Sequence, residues 1–250
     1  MTQVSEASNT TATAAGTPKG SPEPSPRAPG ASGGGIRRRN PRGQGERLRQ
    51  EILAAVGRLL DQKLGDEDLP VSLREVAREV GIAAQSMYLH FADKEQLARA
   101  VAEDGYGRIV AAMRSADEAA AAARADAAGR LRAQSDAFCD FARANRGVIR
   151  LMFGHDTSRF GAPADADRGV HPARVLWEQW LAAVTACEDD GPSWPDGPRD
   201  TAMHLWAALF GRFALWANSF GEHDPETLHA FARRTIDLLL RDARAGHHTP

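Results

Sequence analysis

"SLREVAREVGIAAQSMYLHFADKEQL", residues 72–97, holds two helix starts and one helix stop within a span that leaves room only for short helices. Ser72 and Glu75 stand in the Ser-x-x-Glu order of a capping box, in which each side chain satisfies a backbone amide at the helix start. Leu73, Val76, Ala77 and Val80 then supply the buried side of a helix that Gly81 ends. Asp93 with Gln96 is a second capping signature and opens a longer helix through Leu97, Val101 and Ile109. A helix between Gly81 and Asp93 must therefore be short. Its composition is odd for a packed element: Ala83, Ala84, Gln85 and Ser86 occupy positions where large apolar side chains are usual, and a Met-Tyr-Leu-His-Phe cluster follows at once.

Two short helices joined by a tight glycine-containing turn form the pattern of a helix-turn-helix, whose second helix enters the major groove with its first residues toward the base edges. Small side chains at Ala83 and Ala84 let that helix end approach a duplex closely, while Gln85 and Ser86 can donate and accept at bases or phosphates. Ile82, Met87 and Phe91 face the other way, into a small core shared with the flanking helices. Tyr88, His90 and Lys94, the last in the first turn of the next helix, are placed to hold phosphates. Taken singly, Tyr88 also reads as a half-buried core aromatic and His90 as a surface histidine.

The whole chain of 250 residues carries 31 lysines and arginines against 33 aspartates and glutamates, a formal net charge of -2, so overall basicity cannot drive contact with a polyanion. One patch is basic. Arg37, Arg38, Arg39 and Arg42 lie in a segment that Pro41, Gly43 and Gly45 keep from becoming helix. Alone, the run reads as a solvated end; beside a helix-turn-helix it reads as an arm adding phosphate or minor-groove contacts. Residues 1–35 are mostly Ser, Thr, Ala, Pro and Gly with almost nothing to bury, so a disordered tail is expected. Cys139 and Cys187 show no zinc-ligand spacing, and neither a metal, a cofactor nor a disulfide is expected. No stretch has the apolar length of a membrane span or the core of a signal peptide, which points to the cytoplasm.

From Glu46 onward every periodic stretch is helical. Leu48, Ile52, Val56 and Leu60 place one stripe along a first helix ending near Gly65. Leu131, Gln134, Phe138, Phe141 and Ala142 outline another, and Val148, Ile149, Leu151 and Met152 a shorter one. After the loop "GHDTSRFGAPADADRG", Pro172 suits the first position of a helix with Leu176, Trp180 and Val184. Trp206, Leu209, Phe213, Trp216 and Phe220 then alternate spacings of three and four, and Leu228, Phe231, Thr235 and Leu238 repeat the pattern. Two such helices suit a four-helix bundle across a two-fold axis, although the pattern also fits the core of one chain. A dimer is favoured because one short recognition helix touches too few bases for useful specificity. Phe138, Met152, Phe153, Trp177, Trp180 and Met203, with His155 as a polar contact, are candidates for lining a ligand pocket, or else plain core.

The ordered string from Ala77 and Gly81 through Ile82, Tyr88-x-His90-Phe91 and Lys94-Glu95 resembles the tetracycline-repressor (TetR) family of bacterial transcription regulators, the likeness running from about Gln44 to Val101. The resemblance implies an all-α fold. Residues 1–44 are expected to form a tail with a basic arm, 45–110 a three-helix DNA-binding domain and 111–245 a larger helical domain for effector binding and dimerisation. It further implies that Ala84, Gln85 and Ser86 lie at or near bases, and that Ser72, Tyr88, His90 and Lys94 touch the DNA backbone. Arg74 occupies a position from which some members reach a base, though a solvated helix charge reads as well. Gln85 and Ala83 depart from the usual small residue and the usual Ser or Thr cap. "LWAALFGRFALW" resembles a C-terminal subgroup with Trp and then a His-Gly pair; here Phe210 replaces the histidine, while Gly211 keeps a close helix approach open. The implied function is a homodimeric repressor on a palindromic double-stranded operator, released by an unidentified small-molecule effector; control by a protein partner, or by no effector, is the alternative. An enzyme is disfavoured, because no nucleophile elbow, phosphate-cradling loop or His-Glu-x-x-His occurs.

Overall fold

The computed structural model describes residues 44–63, 70–153, 171–189, 191, 193–217 and 225–246, and among these every regular element is a helix. The expectations placed on Arg37, Arg38, Arg39, Arg42, His155, Phe220, the tail and the 154–170 loop lie outside the described residues. In chain order the helices are α1 (Gln44–Gln62), α2 (Leu73–Val80), α3 (Ala84–Met87), α4 (Lys94–Ala122), α5 (Ala127–Ala144), α6 (Arg146–Phe153), α7 (Arg174–Asp189), α8 (Gly197–Ala217) and α9 (Pro225–Gly246).

The α1 helix buries Ile52, Val56 and Leu60 as its period requires, with Leu53 and Leu59 widening the stripe. Gly45 lies inside its first turn rather than holding the chain out of helix, a position where the backbone amides lack helical partners in any case. At the start of α2, Ser72 Oγ accepts from the Glu75 amide at 3.2 Å, and Lys63 Nζ stands 2.6 Å from the Glu75 carboxylate. That lysine contact, helped by the Ser72 backbone amide, holds the Glu75 carboxyl below its ordinary range. Gly81 ends α2 at φ 77° and ψ 29°, and the Gly81 and Ile82 amides return to the Arg78 and Ala77 carbonyls at 3.2 and 2.9 Å.

Ala83 has no side-chain oxygen to cap α3, and the helix lasts four residues. The chain then winds on in turn bonds, with the Leu89 and His90 amides donating to the Ser86 and Met87 carbonyls at 3.2 and 3.0 Å. Met87 and Phe91 are fully buried and anchor the turn, each contributing roughly 1.5–3 kcal/mol by removal from water. Asp93 Oδ1 accepts from the Gln96 amide at 2.7 Å while Gln96 Oε1 accepts from the Ala92 amide at 2.6 Å, a reciprocal cap that starts α4. The 29 residues of α4 run unbroken through the boundary expected at 110, so one helix serves both halves of the chain.

A second connection between the halves comes from α6, wedged between α1 and α4. A Cβ at Gly147 would stand 2.4 Å from the Leu60 carbonyl carbon, and one at Gly105 would stand 2.5 Å from Met152 Sδ. Asp61 Oδ1 accepts from the Gly147 amide at 2.7 Å, so the last turn of α1 caps the first turn of α6. Tyr106 of α4 donates to the Met152 carbonyl at 2.9 Å, and burial pushes its hydroxyl pKa up.

Across the C-terminal half, Asp117 of α4 accepts from Arg130 and Gln134 of α5; Gln134 accepts from Gln179 of α7, which accepts from Arg114 of α4. The buried Gln134 is thus bonded at both ends of its amide, and three helices share one network. Arg132–Asp237 and Arg233–Asp136, at 2.6 and 2.9 Å, tie α5 to α9.

Three further expectations are corrected. Pro172 stands in the turn before α7, which opens at Arg174 because the Arg174 amide closes on the His171 carbonyl at 2.9 Å. Leu209, Phe213, Trp216 and Leu228 are buried within the chain itself, so their alternating spacing marks core rather than surface offered to a second copy. Met203 is 47% exposed on α8, which removes it from any internal pocket.

Candidate nucleic-acid interface

The helix-turn-helix presents one polar side. Burial of Met87 and Phe91 fixes the rotation of α3, and that leaves Gln85 and Tyr88 exposed, with Ala84, Ser86 and His90 half-buried beside them. Ser72 and Arg74 at the start of α2, and Lys94 at the start of α4, are also exposed. The capping hydroxyl of Ser72 spends an acceptor lone pair on Glu75, which leaves its proton available to an outside acceptor.

Charge pairing occupies some of the cations of this half. Arg47, Arg58 and Lys63 are paired with Glu51, Glu79 and Glu75 at 3.2, 3.1 and 2.6 Å. Arg74 and Lys94 have no ion-pair partner among the described residues. Arg49 is spent differently, its guanidinium lying 4.8 Å from the centroid of the Phe91 ring and bracing α1 against the end of the turn. Arg74 and Lys94 stand where α2 and α4 begin, at helix ends whose amides already favour an anion, while Arg78 is exposed in the last turn of α2. Leu89, which sequence reasoning passes over, is 82% exposed on the same side. Its position four residues after Gln85 was the available signal.

The aromatic residues expected around a ligand meet in pairs rather than as one group. Phe138 meets Trp180 edge-on at 5.5 Å, Trp177 stacks on Trp206 at 6.0 Å, and Phe153 lies between Tyr106 and Phe210 at 5.8 and 4.9 Å. Phe138, Met152 and Trp180 are fully buried, and Phe153 and Trp177 half-buried. Ser135 Oγ, Trp180 Nε1 and Trp206 Nε1 are buried with no hydrogen-bond partner among the described residues. A polar cavity of about 110 Å³ between α4, α5 and α7 is lined by Asp117, Arg130, Gln134, Gln179 and alanines, none of them expected as pocket residues. Among the described residues no cluster of His, Cys, Asp and Glu is arranged to hold a metal ion, and no helix is long and apolar enough to cross a membrane.

Comparison with known proteins agrees with this geometry. Residues 69–101 match the family described as bacterial regulatory proteins, tetR family, and residues 131–241 match the tetracyclin repressor-like C-terminal domain. An uncharacterized HTH-type transcriptional regulator of Haemophilus influenzae is 34% identical over 110 residues, which are 44% of this chain and 50% of that protein. The match thus spans half the length of that curated relative. A protein of unknown function from Rhodococcus sp. RHA1 has a solved structure with TM-score 0.62 and 28% identity, covering 81% of this chain and 100% of the other. The fold is shared at 12% identity with the transcriptional regulator FadR from Bacillus subtilis, solved in complex with stearoyl-CoA, with TM-score 0.59 over 78% of this chain and 98% of that one.

Proposed function

Because this chain belongs to the TetR family of bacterial regulators, we propose that it is a transcriptional repressor in the cytoplasm that binds a palindromic operator as a homodimer and is released by a small-molecule effector. The observation that carries the DNA-binding part is the placement of two cations: Arg74 and Lys94, with no ion-pair partner among the described residues, stand at helix starts beside exposed Gln85 and Tyr88, while Arg47, Arg58 and Lys63 are held by carboxylates. In this reading Ala84, Gln85 and Ser86 face base edges, Arg74 a base or phosphate, and Ser72, Tyr88, His90 and Lys94 the backbone. The arm of Arg37, Arg38, Arg39 and Arg42 adds contacts from upstream.

The two-fold contact uses the outer face of α8 and α9. Met203, Ala207 and Leu215 of α8 and Leu238 of α9 are exposed, and a Cβ at half-exposed Gly211 would meet nothing within 4 Å of its own chain. An outward small residue between apolar ones lets a second helix come close. The effector enters among Phe138, Trp180, Phe153 and Trp177. Buried Ser135 Oγ and Trp180 Nε1, on helices joined by the Phe138–Trp180 contact, have no partner among the described residues, and an acceptor on a ligand would supply one.

Selection of random duplex DNA by the purified full-length protein, followed by sequencing, tests the first part: a palindromic site is expected, and recovery of no enriched sequence would overturn it. A thermal-shift screen of apolar acids, esters and thioesters tests the second. The expected hit raises the melting temperature and weakens operator binding. A chain that no compound shifts is instead controlled by a partner protein or by nothing.

A further inference from the structure

We infer that Leu89 is a base-reading residue that recognises the C5-methyl group of a thymine in the major groove of each half-site; this rests on the DNA-binding reading above. At 82% exposure Leu89 is the most exposed of the large apolar side chains in the described chain. Its setting fixes its direction. The turn that prolongs α3 keeps helical bonding, with the Leu89 amide on the Ser86 carbonyl at 3.2 Å and the Phe91 amide on the Met87 carbonyl at 3.0 Å. Leu89 therefore lies three residues after Ser86 and four after Gln85, on their face of the turn, opposite buried Met87 and Phe91.

A leucine in that position has little to gain from the DNA backbone, since it can neither donate a hydrogen bond nor pair with a phosphate. Tyr88, His90 and Lys94 around it can each donate a hydrogen bond to a phosphate oxygen, and Lys94 adds a positive charge. The major-groove edges of the bases offer one apolar group, the thymine methyl, which is absent from the other three bases. Nor does Leu89 serve the fold: its side chain is in water, and the turn is anchored by its neighbours. Gln85 would hydrogen-bond one base while Leu89, one turn further on, covers the methyl of another, so the two side chains read different chemistry from one helical face.

The test uses the full chain and the duplex that it selects from random sequence. Each thymine of a half-site is replaced singly by uracil, which removes the methyl and leaves the hydrogen-bonding edge unchanged, and Kd is measured at one salt concentration. One position is expected to lose about fourfold per half-site, or about fifteenfold when both half-sites are changed, as for burial of one carbon group. Leu89→Ala should abolish the thymine–uracil difference at that position alone, with an unchanged melting temperature. Equal loss by Leu89→Ala on thymine and uracil duplexes, persistence of the difference in the variant, or insensitivity of the wild-type chain to every methyl would each overturn the assignment. Failure to select any duplex would overturn the DNA-binding reading itself, and this inference with it.

Discussion

Lys94 and Gln85 stand on the same exposed side and should fail differently when replaced. Lys94→Ala removes one unpaired cation per subunit, so affinity should drop on operator and scrambled DNA alike and the slope of log K against log salt should shallow by about 0.9 per subunit. Gln85→Ala should leave that slope intact and change the preferred sequence, which titration against a panel of single-base operator variants would register. A third residue tests the joint behind them. Burial raises the Tyr106 pKa in the folded chain, so its contribution is fully present below the ordinary tyrosine value and is lost as the pH climbs past about 10, where the unfolded chain ionises first. Denaturation curves should show wild-type stability falling more steeply than that of Tyr106→Phe in this alkaline range. At neutral pH the variant should be weaker by about 1 kcal/mol for the lost bond to Met152. The placement of Gln85 and Ser86 was legible in the sequence because the rotation of a helix with Met87 and Phe91 on one side dictates what lies on the other, and that of Lys94 because the Asp93 cap puts it in the first turn of α4. Leu89 was harder to see: its spacing of four from Gln85 marks the same face, but an apolar letter in an aromatic cluster also reads as core until burial is known.

Elements were legible where their ends are chemically marked. Ser72 with Glu75, Gly81, and Asp93 with Gln96 act within a few residues of themselves, and each appears where expected. The start of α1 and of α7 was less so, because Gly45 and Pro172 permit more than one position at a first turn. Periodicity along α8 and α9 told that a stripe is buried without telling against what, and Leu209, Phe213, Trp216 and Leu228 proved to serve their own chain. The contact between α1 and α6 offers a sharp element-scale test. A methyl at Gly147 meets backbone rather than a side-chain tip, so Gly147→Ala cannot be relieved by a rotamer change. Chemical denaturation should show a loss of roughly 1–3 kcal/mol, the cost usual for an overpacked contact.

For the molecule as a whole, the proposed pairing through α8 and α9 is decided by substitutions that leave each copy folded. Leu215 and Leu238 are 55% and 53% exposed, so Leu215→Arg with Leu238→Glu should spare the melting transition of the single chain yet yield a monomer in sedimentation. Affinity for the palindrome should then fall toward that of one half-site. Nothing at this scale was written in any short stretch: which aromatic residues pair, and which face outward, depends on helices far apart in the chain, as the meetings of Phe138 with Trp180 and Trp177 with Trp206 illustrate. The wedge of α6 carries a mechanical corollary. Where two backbones touch, as at Gly147 and Leu60, there is no compliant side chain to absorb displacement, and the Asp61 carboxylate grips the same point. The joint has no backlash: were the proposed effector to shift α6 by a fraction of an ångström, the α1 backbone would meet that shift directly, and the proposed DNA-binding half would change its stance with it.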